Sequence, residues 1–498
     1  GTATTGTHTR FNNCYTYGTF HGLLYENQWE MGAAHTRGKY ELFVNYGAND
    51  PNEVAYFSYW NTLMGDPAVR VWTAFPTALN ASYPATLPVG TNAIVVTVTE
   101  EGPPSAGARV CLLKGTETFC SGLTDAAGQV ELPINAATAG TMKLTVTKYN
   151  RQPVLADIAV TVQNLFVGYQ SSTVDDDNIG GSQGNGNAVV NPGETIQLKV
   201  QVKNFGSQSA AGVTATLTTA DPYATITDAD EPFGTIAGGA SAWSTGDYDV
   251  TVSNAAPDSH VIRFGLEVTS GASQWHSLID VPVVSADFVA VTTTLYNAGN
   301  GILDPGETLE MSVNLRNQGG ANATTIAGTL TSQSPWVSVL DDSGVFGTIN
   351  VGNTGENTVD HFTVRAAAGT YQGHLAIFRL VTTCNGGALD TTEVALTVGT
   401  RSSDDPVGPD RYGYYAFDNT DTSYPDAPVY GWIEIDPNLG GSGTQVSLGD
   451  YGDYQDKSLG VNLPFPFKFY GTAFTRATIC SNGWIAMGDT YLTDYRNW

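Results

Sequence analysis

The sequence is poor in positive charge. Its 498 residues carry 21 Lys and Arg against 48 Asp and Glu, a formal net charge of −27. A nucleic-acid binder needs a basic surface to displace counterions from phosphates, so that class is excluded. All charged residues together make up 14%, below the roughly 25% of an average globular chain. Cysteine is scarce, at 5 residues, which excludes a disulfide-stapled framework. Long apolar runs are missing, so nothing reads as a membrane-spanning helix. Helix-forming Lys, Glu and Leu are sparse, a balance that argues against a cytosolic housekeeping enzyme. What is present is Gly (56 residues), Tyr (24) and Trp (9), with abundant Thr and Val and 41% hydrophobic residues. That is enough apolar surface to build cores, and it has the texture of secreted β-modules. The length suits three to five domains. The chain opens at Gly1 without Met or a signal segment and stops at Trp498 after a strand-rich stretch. Both ends read as cuts through a longer protein.

Residues 1–78 have their own composition. Four basic residues stand against six acidic ones, a net of 4 − 6 = −2, so the other 420 residues hold −25. Met31, Ala34, Gly38, Leu42 and Tyr46 step as one helix face, and the small residues on it predict close approach to a sheet. Val54 to Leu63 gives a second, aromatic-rich helix. Gly65-Asp66-Pro67 breaks the chain, and Val69-Arg70-Val71-Trp72 alternates as a strand. This order predicts the tail of an α/β domain.

Beyond Pro76 the period changes to two. Ile94, Val96 and Val98 alternate with polar or outward positions, as do Leu144 and Val146, which predicts one sandwich over 79–163. An internal repeat follows. Asn191-Pro192-Gly193-Glu194 recurs as Asp304-Pro305-Gly306-Glu307, an offset of 113. The same offset carries Asn187 to Asn300, Asn204 to Asn317, Gly206 to Gly319 and Asp228 to Asp341. It also carries Phe233-Gly234-Thr235-Ile236 onto Phe346-Gly347-Thr348-Ile349. Two copies of one β-sandwich are expected over 164–285 and 286–400. Ser402 to Asp410 is a linker by composition, and a last β-rich module, which reads as truncated, covers 401–498.

Several of these residues resemble one family. Gly1 to Thr9, Gly32-Ala33-Ala34 and above all Asn61-Thr62-Leu63-Met64-Gly65-Asp66-Pro67-Ala68-Val69-Arg70-Val71-Trp72-Thr73 resemble the end of the catalytic domain of gingipain-family secreted bacterial cysteine peptidases. Ala126-Ala127-Gly128-Gln129-Val130 and Leu144 to Asn150 resemble that family's immunoglobulin-like domain. The resemblance covers about 160 residues. The repeats look like adhesion-related modules of bacterial surface proteins, and the last module like those that accompany such peptidases. The fold class implied is mainly β and multi-domain: a partial, caspase-like α/β remnant over 1–78, followed by immunoglobulin-like β-sandwich modules.

In the family a Cys thiolate activated by a His attacks the peptide carbonyl. The His-Gly pair precedes the Cys, and both lie before the stretch matching Gly1 to Thr9. Catalytic residues in this chain are therefore expected to be none. Cys14 and His21-Gly22 stand in reversed order, and Cys14, His8 and His35 read as packed side chains. The parent is expected to be an endopeptidase acting on protein substrates, with this chain inactive on its own.

Two further sets invite chemistry. A two-residue turn centred on Gly115-Thr116 would set Cys111 opposite Cys120 for a cross-strand disulfide, the alternative being two buried thiols. Cys14, Cys384 and Cys480 should be free. Asp175, Asp177, Asn187 and Glu194 in the first repeat, with Asn300, Asp304 and Glu307 in the second, offer oxygens for calcium. The family and its companion modules often carry calcium. Solvated turns are the plainer alternative. Asp450, Asp453 and Asp456 form a weaker cluster. Alternating Phe465, Phe467 and Phe469, and Tyr412, Tyr414, Tyr415 and Phe417, suit a sandwich core, or else a carbohydrate or peptide platform. Two readings result: a secreted or cell-surface peptidase fragment with accessory modules, or an extracellular adhesive or glycan-binding β protein without catalysis. Partners would be protein substrates or extracellular surface ligands.

Overall fold

The computed structural model describes residues 9–297, 299–410, 412–452 and 456–493. Gly1 to His8, and Asp453, lie outside the described residues. Three helices come first: α1 Thr9–Leu24, α2 Met31–Tyr46 and α3 Pro51–Trp60. Pro51 sits where a helix start tolerates a missing N–H. Ala34, Gly38 and Leu42 are buried, as the stepping pattern requires, and Phe11, Leu42, Val54 and Phe57 form a small core. The close approach is to α1, not to a sheet: a Cβ on Gly38 would lie 2.3 Å from Thr19 Oγ1 and 2.7 Å from the Tyr15 carbonyl. No aliphatic stepping marks α1 in the sequence, because its face toward α2 is made by Phe11, Tyr15, Gly18 and Gly22.

The expected strand at Val69–Trp72 is a correction. It forms a single bridge, Glu30 with Arg70, flanked by bonds from the Met31 N–H to the Val69 carbonyl and from the Val71 N–H to the Trp29 carbonyl, both 2.9 Å. Its partner, residues 29–31, turns into α2 at once, so no ladder can extend.

The first sandwich has two sheets. One runs Gln129–Pro133, Ala93–Glu100, Thr77–Ser82, Arg151–Gln152; the other runs Thr86–Pro88, Val154–Thr161, Gly140–Thr147, Arg109–Lys114, Thr118–Leu123. Ile94, Val96, Val98, Leu144 and Val146 point into the shared core with Val110, Leu112 and Ile158. The helices dock on this module. Trp29 stacks on Tyr149 at 4.2 Å, Asn150 Oδ1 accepts the Thr73 N–H at 2.9 Å, and the Thr73 and Tyr149 hydroxyls meet at 2.6 Å.

The two modules that follow share one strand order. In the second, Val167–Asp175, Thr195–Asn204, Tyr248–Val252 and Ala224–Asp228 form one sheet. Asp230–Ile236, Ala210–Thr218, Val261–Ser270 and Ser273–Pro282 form the other. In the third, Phe288–Tyr296, Thr308–Asn317, Phe362–Ala366 and Val337–Asp341 face Ser343–Ile349, Ala323–Ser332, His374–Cys384 and Ala388–Val398. Each closes over one apolar core. The joints between the first, second and third modules are tied by polar bonds. Asn92 exchanges two hydrogen bonds with the backbone of Leu278, 2.7 and 3.1 Å, and His276 reaches Glu131 at 2.8 Å. Asp258 accepts the Gly320 N–H at 3.1 Å, and the Asn254 carbonyl accepts that of Leu389 at 2.8 Å.

Residues 402–410 lead into a segment laid against the third module. The Tyr415 hydroxyl meets His374 Nδ1 at 3.0 Å, and Tyr371 stacks on Tyr424. Beyond residue 78 the only helical turn among the described residues is Pro437–Leu439. The last sheet joins Ser458–Phe469, Thr472–Cys480 and Ile485–Met487. Phe465, Phe467 and Phe469 are exposed on it rather than packed in a sandwich core.

Glu100 holds the first sandwich at its helical end. It accepts from Lys148 Nζ at 2.5 Å and Arg151 Nη2 at 2.7 Å, and bonds the Ser105 hydroxyl. The Lys148 and Ser105 hydrogen bonds lower its carboxyl from 4.5 to about 2. A carboxyl with a depressed folded pKa contributes stability that is complete above the unfolded value and lost as pH falls toward the folded one. Chemical denaturation should therefore show this module weakening from pH 4.5 toward pH 2. Glu100→Gln, already without the charge, should be less stable at pH 7 and flatter over that window. An unchanged slope in the variant would contradict this.

Candidate functional site

The helical segment holds the Cys and His residues that invite a peptidase assignment. Cys14 donates to the Glu41 carbonyl at 3.4 Å. Burial, then the Glu41 charge, push its thiol up to about 12, so at neutral pH it is no thiolate. His21 bonds Glu26 at 3.0 Å, and His35 bonds the Tyr15 hydroxyl. Each imidazole is thus held by a partner other than Cys14. Among the described residues, Cys14 is part of a packed helical core and is not activated as a nucleophile.

The expected Cys111–Cys120 disulfide is corrected by register. Lys114 pairs with Thr118, so the loop has three residues, Gly115, Thr116 and Glu117, not two. Cys111 then faces Ser121 and Cys120 faces Leu112. Neighbouring residues on a strand point to opposite faces, so the two thiols lie on opposite sides of the sheet. The longer loop is held by the Lys114–Glu117 ion pair at 2.7 Å and by Gly115 at φ +51°. All five cysteines are free.

The acidic turn of the second module folds around Asp176, which lies between the two expected ligands Asp175 and Asp177. Asp176 is buried and accepts three backbone N–H groups: Gly186 at 3.1 Å, Asn187 at 3.2 Å and Ala188 at 2.9 Å. Glu194 accepts the N–H groups of Asn185 and Asn191 at 3.2 and 2.9 Å. Burial, opposed by the Asn191 N–H bond, and the nearby Asp176 charge raise its carboxyl. Asp175 and Asp177, which were expected at the site, make local turns instead, accepting from the N–H of Asp177 and of Ile179. Asn187 accepts the Val189 N–H and donates to Asn191 Oδ1.

In the third module the Pro-Gly-Glu turn is built alike. The Asp304 N–H donates to Glu307 Oε2 at 2.9 Å, as that of Asn191 does to Glu194, and Gly193 and Gly306 take φ of +85° and +92°. Asn300 donates to Asp304 Oδ2 at 2.8 Å and accepts the Ile302 N–H. The loop before the turn differs. It runs over 176–194 in the second module and 297–307 in the third, and Asn297 follows the strand where Asp176 does.

Asp176 and Glu194 do not fit a calcium cage. Each oxygen of Asp176 and Glu194 already faces an N–H, so a cation there would meet the positive ends of peptide dipoles. Among the described residues no group of three or more Asp, Glu, His or Cys is arranged to hold a metal ion. Millimolar calcium or a chelator should leave the melting temperature of the full chain unchanged. A rise of several degrees in calcium, absent in Asp176→Asn, would overturn that geometry. The loop instead walls a cleft of about 720 Å³ between the second and third modules, lined by Asn185, Asn187, Asn191, Asn254, Asn322 and Asn385.

A family model described as NIDO related matches residues 436–497. No curated protein matches the chain. Among solved structures, the Arg-specific cysteine proteinase gingipain R is 18% identical at a TM-score of 0.24, over 30% of this chain and 33% of that one. The complex of Porphyromonas gingivalis RgpB pro- and mature domains is 20% identical at 0.22, over 27% and 30%. A titin I-band fragment, I67–I69, is 7% identical at 0.16, over 65% and 99%. The chain thus spans about a third of the length of the gingipain structures it matches. It is a multi-domain, mainly β protein, and none of its described helices is long and apolar enough to cross a membrane.

Proposed function

We propose that this chain is the non-catalytic part of a secreted, gingipain-like cysteine endopeptidase. Its helices complete the catalytic domain, and its β-modules hold that domain near protein substrates or an extracellular surface ligand. The observation that carries this reading is the docking of the segment Asn61 to Thr73, and of Trp29 just before α2, onto the first sandwich through Thr73–Asn150 and Trp29–Tyr149. That contact joins the two stretches whose sequences resemble the family's catalytic end and its immunoglobulin-like domain. The far side of the helices supports it: Phe20, Phe43, Tyr56 and Tyr59 are exposed, an aromatic surface suited to covering the rest of a larger domain.

The nucleophile and base then belong to residues preceding Gly1. The chain as it stands should not hydrolyse a pooled peptide library under reducing conditions, and Cys14→Ala should change nothing. Extending the chain toward its N-terminus through a His-Gly pair and a following Cys should bring activity that a substitution of that Cys abolishes. Hydrolysis by the present chain that Cys14→Ala removes, or an extension lacking both residues, would overturn the reading.

A further inference from the structure

A second cleft, of about 640 Å³, lies between the helical segment and the first sandwich. Its lining includes Arg70, Arg109, Lys148 and Arg151, with Trp72 and Leu123. Four of the chain's 21 basic residues thus converge on one place in a protein of net charge −27. Three of them are engaged. Arg70 bonds Glu30 at 2.8 Å, and Lys148 and Arg151 share Glu100. Four cations less those two carboxylates leave +2. Arg109 has no carboxylate partner among the described residues; its guanidinium reaches only the Ser121 hydroxyl, at 3.4 Å. It projects from the outer face of the sheet, between Leu123 and Thr147 on the neighbouring strands. Leu123 is 55% exposed and Trp72 50% exposed, so apolar walls stand beside the unpaired guanidinium.

We propose that this cleft binds an acidic peptide segment, with Arg109 holding one of its carboxylates and Trp72 and Leu123 covering the adjoining apolar side chains. Arg presents a planar fork that matches a carboxylate in two parallel hydrogen bonds. The cleft has the size of a ligand pocket rather than of a lone inorganic anion, which would leave Trp72 and Leu123 wet. The aliphatic wall of Leu123 and Pro153 suits peptide side chains better than the hydroxylated faces of a sugar. The long-range field is unfavourable to any anion, so the site selects a segment that can bring its carboxylate to this one positive spot. The inference does not rest on peptidase activity anywhere in the parent.

The test is calorimetric titration of the full chain with a capped peptide alternating Glu and Leu. Binding should weaken as salt rises. Arg109→Gln should weaken it roughly tenfold, the loss of a charge-assisted pair. Lys199→Gln, which removes a distant cation paired with Asp247, should leave it unchanged. Arg109 is exposed, so the variant should melt as the parent does. If it melts early, Arg109→Lys asks the same question by keeping the charge and losing the fork, and should give a smaller loss. The proposal falls if the peptide does not bind or if Arg109→Gln binds it equally well. It falls too if inorganic sulfate or an oligouronate binds as tightly as the peptide.

Discussion

Asn204→Ala should loosen the second module and Asn317→Ala the third, each by about 3–5 kcal/mol. Both side chains are completely buried. Asn204 donates to the carbonyls of Gln208 at 2.7 Å and Ile236 at 3.1 Å, and accepts the Gly206 N–H at 3.0 Å. Asn317 makes the same three bonds 113 residues on, to Ala321, Ile349 and Gly319, at 2.8, 3.1 and 3.1 Å. Truncation strands two carbonyls and one N–H inside the module, each a desolvation cost of roughly 1–3 kcal/mol. Hydrogen exchange on the full chain reads the modules separately. Protection should fall across 164–285 in one variant and across 286–400 in the other. Equal loss in both modules from either substitution, or no loss, would refute this account.

The second large effect is expected at Asp176. Asp176→Ala removes the acceptor of three backbone N–H groups and frees the loop over 177–191, at about 3 kcal/mol. Limited proteolysis should then cut inside that loop while the sheets stay intact, because their ladders do not depend on it. Asp175→Ala and Asp177→Ala, which remove only turn contacts, should leave cleavage near the parent rate. Cleavage in those variants equal to that in Asp176→Ala would show that the cluster acts through its summed charge and not through one anchored carboxylate.

The contrast among these three aspartates shows how far the sequence reaches. Asp175-Asp176-Asp177 announces an acidic turn, and the announcement is sound. Which side chain turns inward depends on where the strand Val167–Asp175 ends and on a bulge within its pairing between Tyr169 and Ser171. Each residue gained or lost there swaps faces, and one sequence of equivalent residues cannot signal that. The hairpin at Cys111 and Cys120 failed for the same reason. A two-residue and a three-residue loop differ by one register step, and the chain takes the longer loop, with Lys114 opposite Thr118.

The period-two alternation at Ile94, Val96 and Val98 and the offset of 113 were local or self-similar signals, and they determined the β-modules and the shared build of two of them. The Pro-Gly-Glu turn was equally legible, since Gly193 and Gly306 need a left-handed backbone and Glu194 and Glu307 reach back within three residues. The joints were not legible. Asn92 against Leu278, Trp29 against Tyr149, and the convergence of Arg70 and Arg109 with the Lys148–Arg151 stretch unite residues between 39 and 186 positions apart, with no periodicity to link them. Only the tertiary structure placed them together, because a contact between modules depends on how two finished surfaces meet, whereas a strand or a turn is set by residues that are neighbours in the chain.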